Sequence, residues 1–463
     1  MSTFVGRSAE LAKLRAELRR TGPGGRMLVV RGRRQVGKST LLEHFLTGAE
    51  VPSAFLTAAA GAPPDVALSD ALEEVASSGL EVADVARDAR PSTWEGLLRL
   101  VARSTTRPSV LVIDELPYLF AADPSFEGVL QRAWDRELSR SPVLLVLIGS
   151  DVSTMEMLTS HGRPLFGRAA ELRVDALRPA DLRDLLGLDA GGAFDAAVVT
   201  GGLPRLAQEW TAAGAADAMS FVASQLQDPT SPLVVLGERY LRAEFPSHVQ
   251  AGEVLGVIGS GEPTFQRIAE RAGINHGSLT RSLRTLGEAR LVVADRPLSS
   301  APTRLVHHRV RDPYLRFWLR FIGPHRDRVD RGRGDTVAQR IATSWPTYRG
   351  TAVEPLVAEA LSSVLPDGRF GSGREVGRFW TRDHSVEVDL VVAERDTPPS
   401  EPTALGSIKW RENAPLTESD VSALARARTR VPGAADASLF AVSRSGGQSD
   451  RLAAVLRPED LLG

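Results

Sequence analysis

The segment Gly32-Arg33-Arg34-Gln35-Val36-Gly37-Lys38-Ser39 decides how this chain is read, because it satisfies G-x-x-x-x-G-K-[ST] at every fixed position. Its surroundings agree. An apolar run, Met27-Leu-Val-Val-Arg31, precedes it as a short strand, and residues 39–48 continue it as a helix. Glycines let backbone N–H groups curl around a phosphate, and the amino terminus of the helix favours its charge. Gly32 through Ser39, with Thr40 behind them, are therefore candidate nucleotide contacts. Lys38 is placed to reach β- and γ-phosphates, and the Ser39 hydroxyl to ligate Mg2+.

Two further apolar strands end in polar residues of the matching kind. Val110-Leu-Val-Ile-Asp114-Glu115 supplies Asp114 at a strand's carboxyl end, suited to hold Mg2+ through water. Glu115 beside it is the candidate general base for an attacking water. Val143-Leu-Leu-Val-Leu-Ile148 runs into Gly149-Ser150, where the Ser150 hydroxyl can sense a γ-phosphate. Further on, Gly162-Arg-Pro-Leu-Phe-Gly-Arg168 offers Arg163 and Arg168. Either is a surface charge or a stabiliser of transition-state charge, in cis or from a neighbouring subunit; Arg168 is the candidate catalytic arginine. Gly201-Gly-Leu-Pro204-Arg205 either closes over the nucleotide through Pro204 or makes a tight helix start with proline in the first turn.

Composition bounds the rest. At 463 residues the chain has room for about three domains. With 43% hydrophobic and 24% charged residues it reads as globular rather than disordered. The absence of cysteine excludes disulfides, thiolate zinc, iron–sulfur clusters and a cysteine nucleophile. No apolar run approaches the ~20 residues of a membrane span, and Met1-Ser-Thr-Phe-Val-Gly-Arg7 lacks the layout of a secretion signal. The expectation is a soluble cytoplasmic protein with no membrane partner. A formal net charge of −1 gives no global pull on nucleic acid, so any such binding rests on local patches. Of 56 basic residues only Lys13, Lys38 and Lys409 are lysine. Where arginine replaces lysine so widely, a surviving lysine points to a site where a planar guanidinium does not fit. Lys13, on a helix that reads as exposed, shows no such role.

Apolar strands alternating with helices over the first 174 residues imply an α/β domain, a parallel sheet with helices on both faces. Residues 175–245 turn all helical, as a lid would. Residues 246–322 show three short helices and a strand pair, and after a proline- and arginine-rich joint residues 323–463 form a last α/β domain.

The ordered set Phe4-Val-Gly-Arg7, Gly32–Ser39, Ile113-Asp-Glu115, Ile148-Gly-Ser150, Pro164-Leu-Phe-Gly-Arg168 and Gly201-Gly-Leu-Pro204 resembles that of the archaeal-type AAA+/STAND P-loop ATPases, over residues 1–245. The resemblance implies ATP with Mg2+, a helical lid, and a switch role rather than rapid turnover. Asp151 departs from the small residue this pattern favours.

Thr264–Ile274 followed by Asn275–Arg284 has helix–turn–helix logic, with Ala269 small at the crossing, Gly273 in the turn, and Ile274, Leu279 and Leu283 as core. Leu291–Ala294 and Arg304–His308 complete a winged helix. Its second helix presents Arg281 and Arg284 to double-stranded DNA, or the module serves protein packing. Residues 303–333 carry nine arginines against three acids, with Tyr314, Phe317, Trp318 and Phe321 at helical spacing. The rings form either a core stripe or a base-stacking platform. Asp312-Pro-Tyr-Leu-Arg-Phe-Trp318 also resembles the segment after the winged helix in this ATPase family.

Finally, Glu354 on a helix, Glu387-Val-Asp389 on a strand and Gly406-Ser-Ile-Lys409 on the next resemble the PD-(D/E)XK nuclease core, a restriction-endonuclease-like fold. Asp389 and Lys409 match its pattern. Ser407 stands where the second carboxylate belongs. Two readings follow: Glu387, on the same strand face as Asp389, completes a Mg2+ site with Glu354, or the fold is degenerate. Three functions are open at this point: an ATP-dependent switch acting on a protein partner or on a homo-oligomer, an ATP-regulated DNA nuclease, and an ATP-controlled DNA-binding transcription regulator.

Overall fold

The computed structural model describes residue 4 and residues 6–22, 24–89, 91–244 and 249–462. Val5 of the amino-terminal motif, Pro23, and the expected boundary at 245–246 lie outside the described residues. The chain divides into two compact units, Met1–Ala176 and Leu177–Gly463.

The first unit is built on strands β1 (Arg26–Arg31), β2 (Ser53–Thr57), β3 (Ser109–Asp114), β4 (Val143–Gly149) and β5 (Ala169–Arg173), in the order β2-β3-β4-β1-β5. All neighbours are parallel. β3 and β4 are buried along their whole length, which is why they read as unbroken apolar runs. Alternate residues feed two cores. Met27, Val29, Leu111, Ile113, Leu145 and Leu147 face one layer of helices. Leu28, Val30, Val110, Val112, Leu144 and Val146 face Leu11 and Leu14 of helix Ser8–Arg19 and Leu41, Leu42 and Phe45 of helix Lys38–Ala49. The order places β4 between β1 and β3, so the end of β4 lies between the phosphate loop and Asp114.

Several elements were not legible in the sequence pattern. β5 has one buried residue in five, so an edge strand gave no apolar run. The short helices Ala83–Ala89, Leu116–Ala122 and Val152–Leu158 span two turns or less, too little for a period to show. Lys13 has a role after all: it pairs at 2.9 Å with Glu17, fully buried and also met by Arg20 at 3.2 Å and Arg26 at 3.1 Å.

The second unit spans what the sequence divides into lid, winged helix and terminal domain. One apolar core runs from Phe194 and Trp210 through Leu279 and Phe317 to Phe440. Five helices from Pro179 to Glu244 are followed by Val249–Gly259, Phe265–Ala272 and His276–Glu288. β6 (Val292–Asp295) and β7 (His307–Val310) then pair antiparallel. The expected second wing strand at 304–308 thus starts three residues later; the residues before it are held elsewhere, as described below. Tyr314, Phe317, Trp318 and Phe321 are each 9% exposed or less, with the Tyr314 hydroxyl donating to Leu233 O and Trp318 Nε1 to Val234 O. They are core, and the stacking-platform reading falls.

Helices Gly334–Ala352 and Glu354–Val364 lead to a mixed sheet of β8 (Glu375–Trp380), β9 (Glu387–Ala393), β10 (Pro402–Lys409), β11 (Ser438–Ser443) and β12 (Ala454–Leu456). Its order is β12-β11-β10-β9-β8, antiparallel across β8, β9 and β10 and parallel across β10, β11 and β12. Helix Glu418–Arg428 supplies the crossover from β10 to β11. A buried charge cluster ties this sheet to helix Ala190–Thr200: Asp195 meets Arg349 at 3.1 Å, Trp410 Nε1 at 3.0 Å, and Arg444. Among the described residues no helix is long and apolar enough to cross a membrane.

Candidate functional site

The phosphate loop leaves β1 at Arg31, which is pinned by Glu156 at 2.6 Å and Glu171 at 2.9 Å. Gly32 is obligatory on packing grounds, since a Cβ there would lie 2.2 Å from Val174 O. The loop then curls through left-handed residues, Gln35 at φ 66° and Gly37 at φ 86°, so that successive N–H groups turn inward. Arg7, buried ahead of the first helix, donates to Val36 O at 2.9 Å and steadies the loop from outside.

Lys38 begins the following helix and is 5% exposed. It donates to Gly32 O and Arg33 O at 2.9 Å each and to Ser150 Oγ at 3.0 Å. Burial, aided by the Arg34 charge and opposed by Glu115 and Asp114, brings its pKa down to about 8. The ammonium therefore sits in a pocket of oxygen atoms without a full counter-charge, a position that phosphate oxygens would complete.

Ser39 Oγ donates to Asp114 Oδ2 at 2.6 Å, so a hydroxyl and a carboxylate already meet at one point. Two hard oxygen donors side by side suit Mg2+. Asp114 Oδ1 also accepts the Glu115 N–H at 2.7 Å. Glu115 takes a left-handed conformation, φ 54°, which turns its carboxylate onto the Ser150 hydroxyl at 3.0 Å. Ser150 is thus the middle of a chain from Lys38 to Glu115. Gly149 before it has no room for a side chain, as a Cβ would lie 2.5 Å from Met155 Sδ and 2.8 Å from Pro117 Cδ. Asp151, the departure from the small residue, caps helix Val152–Leu158 by accepting the Thr154 N–H at 3.1 Å. Tyr118, which the sequence reading missed, accepts from Arg34 at 3.2 Å. Its only signal is its position four residues after Asp114.

The other candidates are placed as follows. Arg33 is half-buried, and Gln35 and Thr40 are exposed at the loop. Arg168 grips Asp135 with two bonds, 2.8 and 3.0 Å, and Arg163 pairs with Glu127. Pro204, in the second unit, opens helix Pro204–Ala213. The glycines ahead of it are explained by packing: a Cβ on Gly202 would lie 2.0 Å from Leu177 O, and one on Gly201 2.8 Å from Tyr314 Cβ.

Arg281 and Arg284 are exposed on helix His276–Glu288, Arg281 leaning on Ser278 Oγ at 3.1 Å. In the terminal sheet Asp389 Oδ2 accepts the Ile408 N–H at 2.7 Å and the Ser407 hydroxyl at 3.3 Å. Glu354 lies near it, its pKa raised to about 7 by burial and by the Asp389 charge, with Arg378 and Arg316 opposing. Lys409 faces Asp420 at 3.9 Å, and its charge also reaches Asp389. Glu387 is exposed and engaged by His384 at 2.8 Å. Among the described residues no group of three or more His, Asp or Glu side chains is placed to hold a metal ion.

Comparison with known proteins finds matches to two separate parts of the chain. Residues 3–146 match the family described as an AAA ATPase domain, and residues 318–424 match a family of archaeal and bacterial proteins of unknown function. An uncharacterized protein of Methanocaldococcus jannaschii is 22% identical over 426 residues, covering 91% of this chain and 90% of that one. Among solved structures, a Walker-type ATPase of Pyrococcus abyssi aligns with TM-score 0.51 and 18% identity, over 68% of this chain and 96% of that one. The ORC2 protein of Aeropyrum pernix aligns with TM-score 0.42 and 14% identity, over 73% and 95%. The first unit is a nucleotide-binding P-loop ATPase domain.

Proposed function

We propose that the chain is a slow Mg-ATP-dependent switch whose nucleotide state is read by its second unit. The observation that carries this is the continuous chain Lys38–Ser150–Glu115 beside the Ser39–Asp114 pair. Ser39 and Asp114 are the residues to hold Mg2+, which when bound neutralises phosphate charge. Lys38 exchanges its carbonyl partners for phosphate oxygens. With a phosphate oxygen in reach, the Ser150 hydroxyl, which accepts from Lys38 and donates to Glu115, would turn its donation to that oxygen and leave the Glu115 carboxylate free to accept a proton from water. A general base that must first be freed by the ligand gives a switch rather than a rapid hydrolase. Arg168, held by Asp135, is the arginine offered to a neighbouring copy in a homo-oligomer, with Asp135 as its resting partner.

Steady-state ATP hydrolysis by the purified protein and by Glu115→Gln tests this, with and without duplex DNA. Turnover should fall at least about a hundredfold in the variant while ATP still binds. Unchanged turnover removes the assignment of the base.

A second reading concerns DNA. The exposed Arg281 and Arg284 on the second helix of a helix–turn–helix pair favour contact with a duplex, as an ATP-controlled DNA-binding regulator would make. Loss of duplex binding in Arg281→Ala/Arg284→Ala is its test. The terminal sheet we read as nuclease-like but degenerate, because the Asp389 carboxylate is engaged by Ile408 N–H and Ser407. Mg2+-dependent DNA cleavage abolished by Asp389→Ala would reverse that reading.

A further inference from the structure

The loop joining the two wing strands, residues 296–306, does not stand free. Leu298 is 1% exposed, seated in the core that Phe379, Val391, Leu405 and Leu439 make in the terminal domain. The backbone follows it in: Leu298 N–H donates to Arg378 O at 2.8 Å, Ser400 N–H to Ser299 O at 2.9 Å, and Ser300 N–H to Pro432 O at 3.2 Å. The terminal domain is shaped to receive it. A Cβ on Gly377 would lie 2.8 Å from Leu298 Cδ2, and one on Gly433 2.5 Å from Ser300 Oγ, so both positions leave out a side chain where the loop passes. At the far end His307 is buried and stacks on Trp380 at 4.3 Å and on His384 at 5.2 Å.

The outer side of the same loop differs in character. Arg296 and Arg304 are exposed, and residues 296–306 contain no acid. Inside is one leucine plug, and outside is a chemistry suited to phosphate. The segment contains no helix or strand, so its seating rests on Pro297, Leu298 and Ser299, all buried, and on those three backbone hydrogen bonds.

We propose that residues 296–306 are a latch for which the terminal domain and duplex DNA compete. Seated, the wing belongs to the terminal domain. Released, it is a basic arm that adds Arg296 and Arg304 to the surface already bearing Arg281 and Arg284. This rests on the DNA reading of the winged helix given above.

The chain has no cysteine, so a reversible lock can be built cleanly. The Cβ of Gly377 and that of Leu298 would stand 3.1 Å apart, a few tenths below the ~3.5–4.5 Å of ordinary disulfides. Duplex binding is measured in the full chain for wild type, Leu298→Ser, and Leu298→Cys/Gly377→Cys both oxidised and reduced. Leu298→Ser should bind about fivefold or more tightly. Its log–log salt dependence should steepen by about two phosphate contacts. Oxidation should return the locked variant to wild-type affinity or below, and reduction should restore the gain. Trypsin cleavage after Arg304 reports release independently of DNA.

Equal binding by oxidised and reduced protein, or no gain in Leu298→Ser, overturns the latch while Arg281- and Arg284-dependent binding still upholds the DNA reading. If Arg304 cleavage accelerates but no form binds duplex, the DNA reading itself has failed and the competition falls with it.

Discussion

Lys38 should be a liability to the nucleotide-free fold, and Lys38→Met should show it. The residue is 5% exposed, and its ammonium donates to two carbonyls and a hydroxyl, none of them charged. Its pKa falls from the ordinary lysine value of 10.5 to about 8, chiefly through burial. At ~1.36 kcal/mol per pH unit, that gap costs the folded state about 3 kcal/mol at neutral pH. Methionine keeps the apolar stem and removes the charge. Losing the three hydrogen bonds to Gly32 O, Arg33 O and Ser150 Oγ returns ~1–2 kcal/mol of that gain. The variant should therefore be more stable than wild type by about 1–2 kcal/mol at pH 7 while losing tight ATP binding. The pH dependence has a definite sign. Below pH 8 both folded and unfolded lysine are protonated and the penalty is complete. Between about 8 and 10.5 the folded form sheds its proton while the unfolded form keeps it, so wild type gains stability with pH and the gap to Lys38→Met closes. Because the chain has two compact units, a single melting curve mixes them. Urea-dependent hydrogen exchange at the β3 and β4 amides reads the first unit alone. A variant no more stable than wild type at pH 7, or a gap that stays constant to pH 10, refutes the reasoning.

Other consequences are as direct. Glu354→Gln should leave stability unchanged at pH 4 and raise it by ~2 kcal/mol at pH 8, discounted for partial solvent contact, in urea unfolding read by exchange in β9. The sign follows from a carboxyl whose folded pKa is raised to about 7: its favourable contribution holds below 4.5 and is lost as pH rises through 7. Asp195→Ala takes the buried carboxylate from Arg349 and Arg444, leaves them the half-exposed Glu412, and frees the Trp410 N–H, so the second unit should lose ~2–3 kcal/mol, with Asp195→Leu/Arg349→Met/Arg444→Met recovering most of it. A loss under 1 kcal/mol by the same measurement would show that water reaches the cluster. Lys13→Arg should change stability by less than ~0.5 kcal/mol because Arg20 and Arg26 already serve Glu17, whereas Lys38→Arg should abolish ATP binding in a titration.

What was legible in the sequence was local. The phosphate loop, Asp114, Glu115 and Ser150 each sit at a strand end, and an apolar run followed by a polar residue marks that place without reference to the rest of the chain. Even the chain from Lys38 to Glu115 followed once the strand order put β4 between β1 and β3. The latch and the Asp195 cluster had no such signature. Asp195 meets residues 154, 215 and 249 positions away, and a lone aspartate in an apolar helix gives no sign of the arginines it will meet. Leu298 lies between Pro297 and two serines, so it reads as a loop residue. The side chain missing at Gly377 shows what it fills.

The three lysines test how far a composition argument reaches. The inference that a surviving lysine marks a site hostile to arginine holds physically at Lys38, where the ammonium is enclosed by Gly32 O, Arg33 O and Ser150 Oγ. A planar fork has no path into that cup. At Lys13 the inference has no force, since the same carboxylate accepts Arg26 through two bonds at 3.1 Å. Lys409 stands between them. It is partly buried, 3.9 Å from an Asp420 that Arg411 already holds at 2.8 Å, so pairing does not explain it. Its charge acts instead on Asp389, whose carboxylate burial pushes upward and whose stabilising partners are the Ile408 N–H, Lys409 and the Ser407 hydroxyl. A point charge two residues beyond Ser407 does for Asp389 what a guanidinium, seeking two acceptors, would do for Asp420 instead. Lysine there opposes the upward push of burial on the Asp389 carboxylate, whether or not the sheet has ever cut DNA.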